Sequence, residues 1–201
     1  MWYNIGILFR NEDFEMRVIL ASASPRRREL LKYAVPEFDV IPADIDETLP
    51  GDTPAEKSAE YLAVKKARHI AELYPDSLVI GSDTVVISEG EILGKPRDEA
   101  DAARMLKKLS GKTHSVITGV CAVCGTKCES FSQETRVKFY PLSDDEIAAY
   151  IATGDPMDKA GAYGIQSGGC ILAESIEGDF FNVVGLPVAG LKRLLDEKFL
   201  R

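Results

Sequence analysis

Hydrophobic and polar residues follow two different periods along this chain, and the pattern predicts strands and helices in turn. Apolar runs bounded by glycine, proline or acidic residues predict strands at residues 17–21, 38–42, 78–87, 113–123, 128–140 and 170–176. Apolar residues at helical spacing predict helices that begin near residues 24, 53, 98, 143 and 187. This alternation favours a mixed α/β fold over an all-helical or an all-β fold.

Capping residues set the predicted helix starts. Thr53-Pro-Ala-Glu56 and Ser143-Asp-Asp-Glu146 both fit the capping box, and Asp98 suits the N-cap of another helix. The helix after Thr53 is expected to bury one face, formed by Ala59, Leu62, Ala63, Ala67, Ile70 and Leu73. Residues 155–169 and 177–182 are predicted loops, and the first is long enough to be functional.

The first strand leads directly into a helix with a basic N-terminus. Ser24 suits the N-cap, Pro25 suits the first helical position, and the segment continues as Arg26-Arg27-Arg28. Free N–H groups at this helix end, with the side chains of Ser22, Ser24, Arg26 and Arg27, predict a phosphate site. The alternative is a basic surface helix. Arginines in the first turn oppose the helix dipole, which favours the phosphate site.

Charge limits the ligands that this chain can bind. The 201 residues carry 24 Lys and Arg against 32 Asp and Glu, and the net charge of -8 argues against a nucleic-acid-binding surface. A local arginine cluster in an acidic protein suits a small polyanion, with divalent cations offsetting the acidic remainder. With 45% hydrophobic residues, the chain is long enough for one compact domain with a substantial core.

The sequence carries no membrane or secretion signal. No apolar run reaches the roughly 20 residues that cross a bilayer, and residues 1–15 lack the apolar core of a signal peptide. We therefore expect a cytoplasmic protein with no membrane partner. Because Met16 stands just before the first strand, residues 1–15 are interpreted as an N-terminal extension, either disordered or due to a misassigned start, and residues 16–201 as a single catalytic domain.

Three of the four cysteines, Cys121, Cys124 and Cys128, lie close together in the sequence. A zinc or iron–sulfur cluster is one interpretation, but no second C-x-x-C or paired histidines complete it. The favoured interpretation is an antiparallel hairpin turned by Gly125-Thr126, in which Cys124 and Cys128 are cross-strand neighbours and Cys121 points to the opposite face.

A polar segment, Gly81-Ser-Asp-Thr84, interrupts the apolar strand at residues 78–87. A buried strand rarely holds an aspartate without a reason, so Asp83 is interpreted as a metal ligand or a general base. The alternative is an aspartate at a β-bulge that accepts from backbone N–H groups. The acidic loop Asp44-Ile-Asp-Glu47 follows the second strand, and a carboxylate pair there, together with Asp83, would suit magnesium.

Two lysines and one glutamine are further candidate ligands for a nucleotide. Lys95 lies between glycine and proline in a rigid turn, whereas Lys66 is either a phosphate contact or a surface residue whose stem covers its helix. The Gln166 amide both donates and accepts, as a pyrimidine edge requires. Tyr163 is expected to pack rather than to stack on a base, and both histidines are expected to be structural.

The sequence resembles the Maf family of nucleoside triphosphate pyrophosphatases. Five segments occur in the order found in that family and span the chain from Met16 nearly to its end. They are Ser22-Ala-Ser-Pro-Arg-Arg-Arg-Glu-Leu-Leu31, Gly81-Ser-Asp-Thr-Val85, Gly94-Lys-Pro-Arg97, Asp158-Lys-Ala-Gly-Ala-Tyr-Gly-Ile-Gln166 and Val184-Gly-Leu-Pro187.

The resemblance implies a fold akin to inosine triphosphate pyrophosphatases, with a central mixed sheet flanked by helices and two lobes separated by a cleft. It implies hydrolysis of a nucleoside triphosphate to the monophosphate and pyrophosphate, assisted by Mg²⁺ or Mn²⁺, and commonly a homodimer. The ending Tyr163-Gly-Ile-Gln166 resembles the branch that acts on dTTP and UTP, and modified pyrimidine nucleotides are further candidate substrates.

The resemblance also assigns roles to individual positions. Asp83 corresponds to the proton acceptor and shares the metal with Glu47. The phosphate contacts correspond to Arg26, Lys66 and Lys95. The positions that set substrate preference correspond to Arg26, Thr84 and Gln166.

Two alternative functions remain open. One is a nucleotide-binding regulator of cell division, since the family name is linked to septum formation. The other is a purine pyrophosphatase of the same fold that acts on ITP or 7-methyl-GTP. Retention of both Asp83 and Glu47 favours turnover over regulation.

Overall fold

A mixed sheet of seven strands forms the centre of the molecule. The structure is a computed structural model, and it describes residues 16–199. Within that range the strands are β1 (Val18–Leu20), β2 (Asp39–Val40), β3 (Leu78–Ser88), β4 (Glu91–Leu93), β5 (Thr113–Cys124), β6 (Lys127–Phe139) and β7 (Ala173–Glu177). Their order is β2-β1-β3-β5-β6-β7, and β4 pairs with β3. The predicted fold class is confirmed, because β1 pairs in parallel with β2 and β3 while the other pairs are antiparallel.

Six helices accompany the sheet in the described part of the chain. They are α1 (Pro25–Leu31), α2 (Ala55–Leu73), α3 (Glu99–Leu109), α4 (Asp144–Ile151), α5 (Phe180–Val184) and α6 (Val188–Lys198). The predicted caps at Ser24, Asp98 and Ser143 are confirmed, and Ser143 forms the full capping box with Glu146. No helix among residues 16–199 is long and apolar enough to cross a membrane.

Three local predictions are wrong. Thr53 does not cap α2, because the helix begins after Pro54, which is extended, and the Thr53 N–H donates to the carbonyl of Pro50. Leu73, the last residue of α2, does not join the buried face of the helix and is 62% exposed. The predicted loop at 177–182 contains the start of α5, which Asp179 caps by accepting from the Phe181 N–H.

Helix α2 lies directly on β3 and β5 because two glycines leave room for its backbone. A Cβ atom on Gly81 would lie 2.4 Å from the carbonyl oxygen of Ala63, and one on Gly119 would lie 2.4 Å from the carbonyl group of Ala59. Contacts this close are possible only without a side chain. The glycines therefore set how near α2 and its Lys66 come to the sheet.

Residues 155–169 form ordered turns rather than an irregular loop. Short 3-10 helices span Asp155–Asp158, Ala160–Ala162 and Gly168–Leu172, so the strand predicted at 170–176 begins only at Ala173. Within the segment, Tyr163 is buried and bonds to His114 at 2.9 Å, which confirms that Tyr163 packs and that His114 is structural. Burial raises the pKa of Tyr163 and lowers the pKa of His114 to about 4.

The segment that contains Cys121, Cys124 and Cys128 forms a β-hairpin, and one part of its prediction is wrong. The turn at Gly125-Thr126 and the antiparallel pairing are confirmed, and Cys128 lies opposite Val123. Cys128 therefore shares a face with Cys121, whose Sγ is 3.6 Å from its own, and not with Cys124. Among the described residues, no group of three or more His, Cys, Asp or Glu side chains is placed to hold a metal ion.

The interpretation of residues 1–15 as an extension falls outside the described residues.

Candidate active site

A cleft of about 640 Å³ opens beside the N-terminus of α1, β3 and the turns at 158–166. This volume is within the range of small-molecule sites. All ten residues that the sequence predicts for the site line it, namely Ser22, Ser24, Arg26, Arg27, Glu47, Lys66, Asp83, Thr84, Lys95 and Gln166. Residues from distant parts of the sequence thus meet around one cavity.

The N-terminus of α1 forms one wall of the cleft. Ser24 accepts from the Arg27 N–H at 3.4 Å, and Ser22 Oγ accepts from the Ser24 N–H at 3.3 Å. The Arg26 guanidinium lies 3.3 Å from Asp158 Oδ2 across the cleft. Burial opposes ionisation of Asp158, but hydrogen bonds and charge from Lys159 and Arg26 outweigh it and lower the pKa of that carboxyl. Arg26 therefore already faces an anion.

Arg27 connects α1 to two other parts of the wall. Its Nε donates to the Gly185 carbonyl at 2.9 Å, its Nη1 to Ser22 Oγ at 3.2 Å and its Nη2 to Thr84 Oγ1 at 2.9 Å. Burial lowers the pKa of this arginine, and the nearby charge of Asp83 opposes that effect. Three of its five N–H groups are therefore committed to the protein, and two remain for a phosphate.

Lys66, Asp83 and Glu47 form the charged centre of the site. The Lys66 ammonium nitrogen lies 2.6 Å from Asp83 Oδ1 and 2.7 Å from Glu47 Oε1. Lys66 is only 8% exposed, so the interpretation as a surface lysine is wrong. The β-bulge alternative for Asp83 is also wrong, since the register of β3 against β5 runs unbroken from residue 79 to 87 and the carboxylate binds Lys66.

The two carboxylates fit a metal ion that takes its remaining ligands from elsewhere. Glu47 and Asp83 converge on one cationic point, and their oxygen atoms are the donors that Mg²⁺ and Mn²⁺ prefer. Asp46 turns away, because it accepts from the Thr48 N–H at 2.9 Å and from its hydroxyl at 2.6 Å. Phosphate oxygens and water would complete the set, as is usual for Mg²⁺.

The other predicted ligands lie farther along the cleft. Lys95 is exposed and follows Gly94, whose carbonyl accepts from the Gly161 N–H at 3.1 Å. Lys65, the neighbour of Lys66 in the sequence, does not line the cleft, and its ammonium binds the Asp46 carbonyl. Gln166 is exposed at the cleft, and no hydrogen bond from residues 16–199 fixes its side chain.

Sequence reasoning missed two residues that shape the site. No role is predicted for Asp158, which begins one of the five recognised segments, although its carboxylate pairs with Arg26. Asn182 received no role, although it is fully buried beside the cleft wall. A buried asparagine inside the apolar run Phe180-Phe-Asn-Val-Val184 is a signal that could have found it.

Comparison with solved structures identifies the fold. The Staphylococcus aureus Ham1 protein matches with a TM-score of 0.55 and 16% sequence identity, covering 90% of this chain and 99% of that chain. A HAM1 protein from Coxiella burnetii matches with a TM-score of 0.53, 16% identity and the same coverage. At this identity the likeness establishes the fold alone.

Sequence comparison goes further. The chain belongs to the Maf family, described as Maf-like protein, which matches residues 17–198. A curated relative from Koribacter versatilis (strain Ellin345), named dTTP/UTP pyrophosphatase, is 50% identical over 194 residues, which cover 96% of this chain and 95% of the relative. A relative of the same name from Bacillus velezensis is 48% identical over 181 residues, covering 90% and 96%. The resemblance noted from five segments is confirmed.

Proposed function

We propose that this protein hydrolyses dTTP and UTP to the nucleoside monophosphate and pyrophosphate. The observation that carries the proposal is the pairing of Asp83 and Glu47 on one buried lysine beside an arginine-walled cleft. Relatives about half identical to this chain carry the name dTTP/UTP pyrophosphatase, which supports the choice of substrates. Modified pyrimidine nucleotides with the same base edge are further candidates.

The reaction requires attack of water on the α-phosphorus and cleavage of its bond to the bridging oxygen. Asp83 accepts a proton from the water or orients it, since its carboxylate faces the cleft. Arg26, Arg27, Lys66 and Lys95 bind the phosphates and stabilise the charge that builds on the pyrophosphate leaving group. Ser22 and Ser24 hold the N-terminus of α1 beside the cleft, since their hydroxyls accept from the Ser24 and Arg27 N–H groups.

Glu47 and Asp83 would hold the divalent cation, Mg²⁺ or Mn²⁺, that the family resemblance implies. When bound, such an ion neutralises charge on the phosphoryl oxygens. Lys66, which contacts both carboxylates, also lines the cleft and would bind the phosphates there.

Base selection is assigned to Arg26, Thr84 and Gln166. All three line the cleft, and Gln166 offers both a donor and an acceptor to a pyrimidine edge. Residues 16–201 form the catalytic domain in this proposal. Its substrate is a small nucleotide of the cytoplasmic pool, and a homodimer, as the resemblance implies, is tested by light scattering on the purified protein.

One substrate panel tests the proposal. Pyrophosphate release from dTTP, UTP, CTP, ITP and 7-methyl-GTP is measured with Mg²⁺ and with Mn²⁺. We expect dTTP and UTP to give the highest kcat/KM. Preference for ITP or 7-methyl-GTP would instead support the purine alternative, and tight binding without turnover would support a regulator.

A further inference from the structure

A chain of hydrogen bonds runs from the short helix α5 to the cleft through two threonines. Thr118 on β5 lies opposite Thr84 on β3, and their Oγ1 atoms are 2.9 Å apart. Thr118 Oγ1 is also 2.9 Å from the carbonyl oxygen of Asn182. Thr118 is fully buried and lies behind the cleft wall, whereas Thr84 lines the cleft.

The directions of these hydrogen bonds follow from the number of protons. A carbonyl oxygen only accepts, so the single hydroxyl proton of Thr118 goes to Asn182. Thr118 must then accept from Thr84, whose own proton is thereby used. Thr84 Oγ1 also accepts from Arg27 Nη2 at 2.9 Å. The opposite direction would place two lone pairs face to face between Thr118 and Asn182.

Asn182 is itself held in place, so the direction of this chain is fixed. Its Oδ1 accepts from the Thr118 N–H at 3.2 Å. Its Nδ2 donates to the Val116 carbonyl at 2.9 Å and to Thr135 Oγ1 at 3.0 Å. The residue is fully buried, and its side-chain amide has partners on both β5 and β6. A fully satisfied buried network of this kind admits one arrangement.

One lone pair of Thr84 is left for a ligand, so this hydroxyl can only accept. Gln166 differs, because rotation of an unfixed amide offers either a donor or an acceptor. Gln166 alone therefore does not distinguish thymine or uracil from cytosine. Thymine and uracil share an imide N–H at N3, while cytosine presents a bare acceptor there. An acceptor fixed in the protein favours the first two bases and repels the third.

We propose that Thr118 is a positioning residue for base selection, which holds the Thr84 hydroxyl as an acceptor for the imide N–H of the pyrimidine. This proposal rests on the proposed function and extends it from a substrate class to one hydrogen bond. Thr118 determines specificity without touching the substrate.

Thr118→Val tests this role, because valine keeps the shape and removes the hydroxyl. The Thr84 proton is then free to turn into the cleft and to donate to N3 of cytosine. We expect the ratio of kcat/KM for dTTP over dCTP to fall roughly tenfold, the effect of about one hydrogen bond on transition-state binding. Thr118→Ser should restore the original ratio.

Thr135→Val is the matched control. Thr135 is also a buried threonine bonded to Asn182, but its own hydroxyl donates to the Asp179 carbonyl and not to the chain that reaches Thr84. The ratio should stay within about twofold of the wild type in this variant, well below the effect of one hydrogen bond. An equal fall in both variants would assign the effect to a loosened α5 and overturn the proposal, as would an unchanged ratio in folded Thr118→Val.

Two further measurements keep the proposal falsifiable. If Thr118→Val does not fold, Thr84→Val removes the acceptor directly, and an unchanged preference for dTTP there would overturn the proposal. The Kd values of dTTP and dCTP, measured by calorimetry in each variant, should show the same change in ratio. If the Kd ratio changes in this way but the protein hydrolyses neither nucleotide, the proposed function is contradicted and the role of Thr118 is supported.

Discussion

The Lys66 ammonium nitrogen lies 2.6 Å from Asp83 Oδ1, where α2 crosses β3. Glu47 approaches the same nitrogen at 2.7 Å from a more exposed position. One cation thus separates two carboxylates whose like charges repel each other. The lysine therefore sets the positions of both carboxylates before any ligand binds.

Asp83→Asn is expected to fold and to lose most of its activity. The asparagine oxygen still accepts from Lys66, but an amide neither takes a proton from water nor carries the charge that a cation requires. Pyrophosphate release from dTTP should fall by about 10² to 10⁴-fold. Thermal unfolding with a Tm near the wild-type value would show that the fold is intact, and unchanged turnover would exclude Asp83 as the base.

Lys66→Met tests the metal site without relying on activity. Removing the ammonium leaves Asp83 and Glu47 facing each other, so Mg²⁺ should stabilise the variant more than the wild type. At a concentration ten times the Kd, the gain in the free energy of unfolding is about 1.4 kcal/mol. Lys65→Met is the control, because that neighbouring lysine binds the Asp46 backbone carbonyl. Equal responses to Mg²⁺ in the two variants would argue against a metal at Glu47 and Asp83.

Asp158→Asn is expected to lower the KM for dTTP. The substitution removes the carboxylate that competes with phosphate for Arg26. The side chains of this ion pair are 32% exposed for Arg26 and 64% exposed for Asp158. Because exposed ion pairs contribute up to about 1 kcal/mol, KM should fall by up to about fivefold. Asp39→Asn removes the same charge from the remote Arg17 pair. A comparable fall in KM in Asp39→Asn would show that the change in net charge, and not the loss of the Arg26 pair, causes the effect.

Gly119→Ala is expected to destabilise the protein and to impair catalysis together. The new methyl group would overlap the backbone of α2 at Ala59, which forces the helix and Lys66 away from β3. Overpacking of this kind lowers the free energy of unfolding by about 3 kcal/mol, measured by urea denaturation. Gly51→Ala, where no atom lies within 4 Å of the added carbon, should have little effect on either property.

His114 should make stability depend on pH. Burial holds its pKa at about 4 in the folded protein, against the usual pKa of 6.5 for an exposed histidine. The unfolded chain therefore binds more protons between these values, and stability is fully present above pH 6.5 and falls as the pH drops toward 4.

The loss between pH 8 and pH 4.5 attributable to this residue is about 2.5 kcal/mol. His114→Gln should lose that much less stability over the same range, measured by urea denaturation at each pH. His69→Gln, which removes the other histidine of the chain, should keep the wild-type dependence.

Local sequence rules predicted most of the helices and strands, and they failed where tertiary contacts decide. Ser143 and Thr53 begin equally good capping boxes, but only Ser143 directly precedes its helix. Helix α5 has five residues and an apolar sequence without a helical period. Contacts of Asn182 with β5 and β6 hold it, and no local pattern encodes them.

The membership of the site was predictable, but its internal connections were not. The ten residues predicted for the site all line the cleft, and eight of them stand in the five recognised segments, whereas Glu47 and Lys66 lie outside those segments. The ion pair of Lys66 and Asp83 depends instead on how closely α2 approaches the sheet at Gly81 and Gly119. The pairing of Arg26 with Asp158 joins residues 132 apart, a distance that no spacing rule reaches.

The bond from Arg27 to the Gly185 carbonyl has a consequence for biosynthesis. These residues are 158 positions apart, so helix α1 can form this contact only after α5 and Gly185 have been translated. A nascent chain that ends before α5 lacks the Gly185 carbonyl that accepts from Arg27 and the Asn182 carbonyl that accepts from Thr118. The ribosome therefore releases a protein whose nucleotide site is assembled late, and shortened translation products would lack a finished cleft.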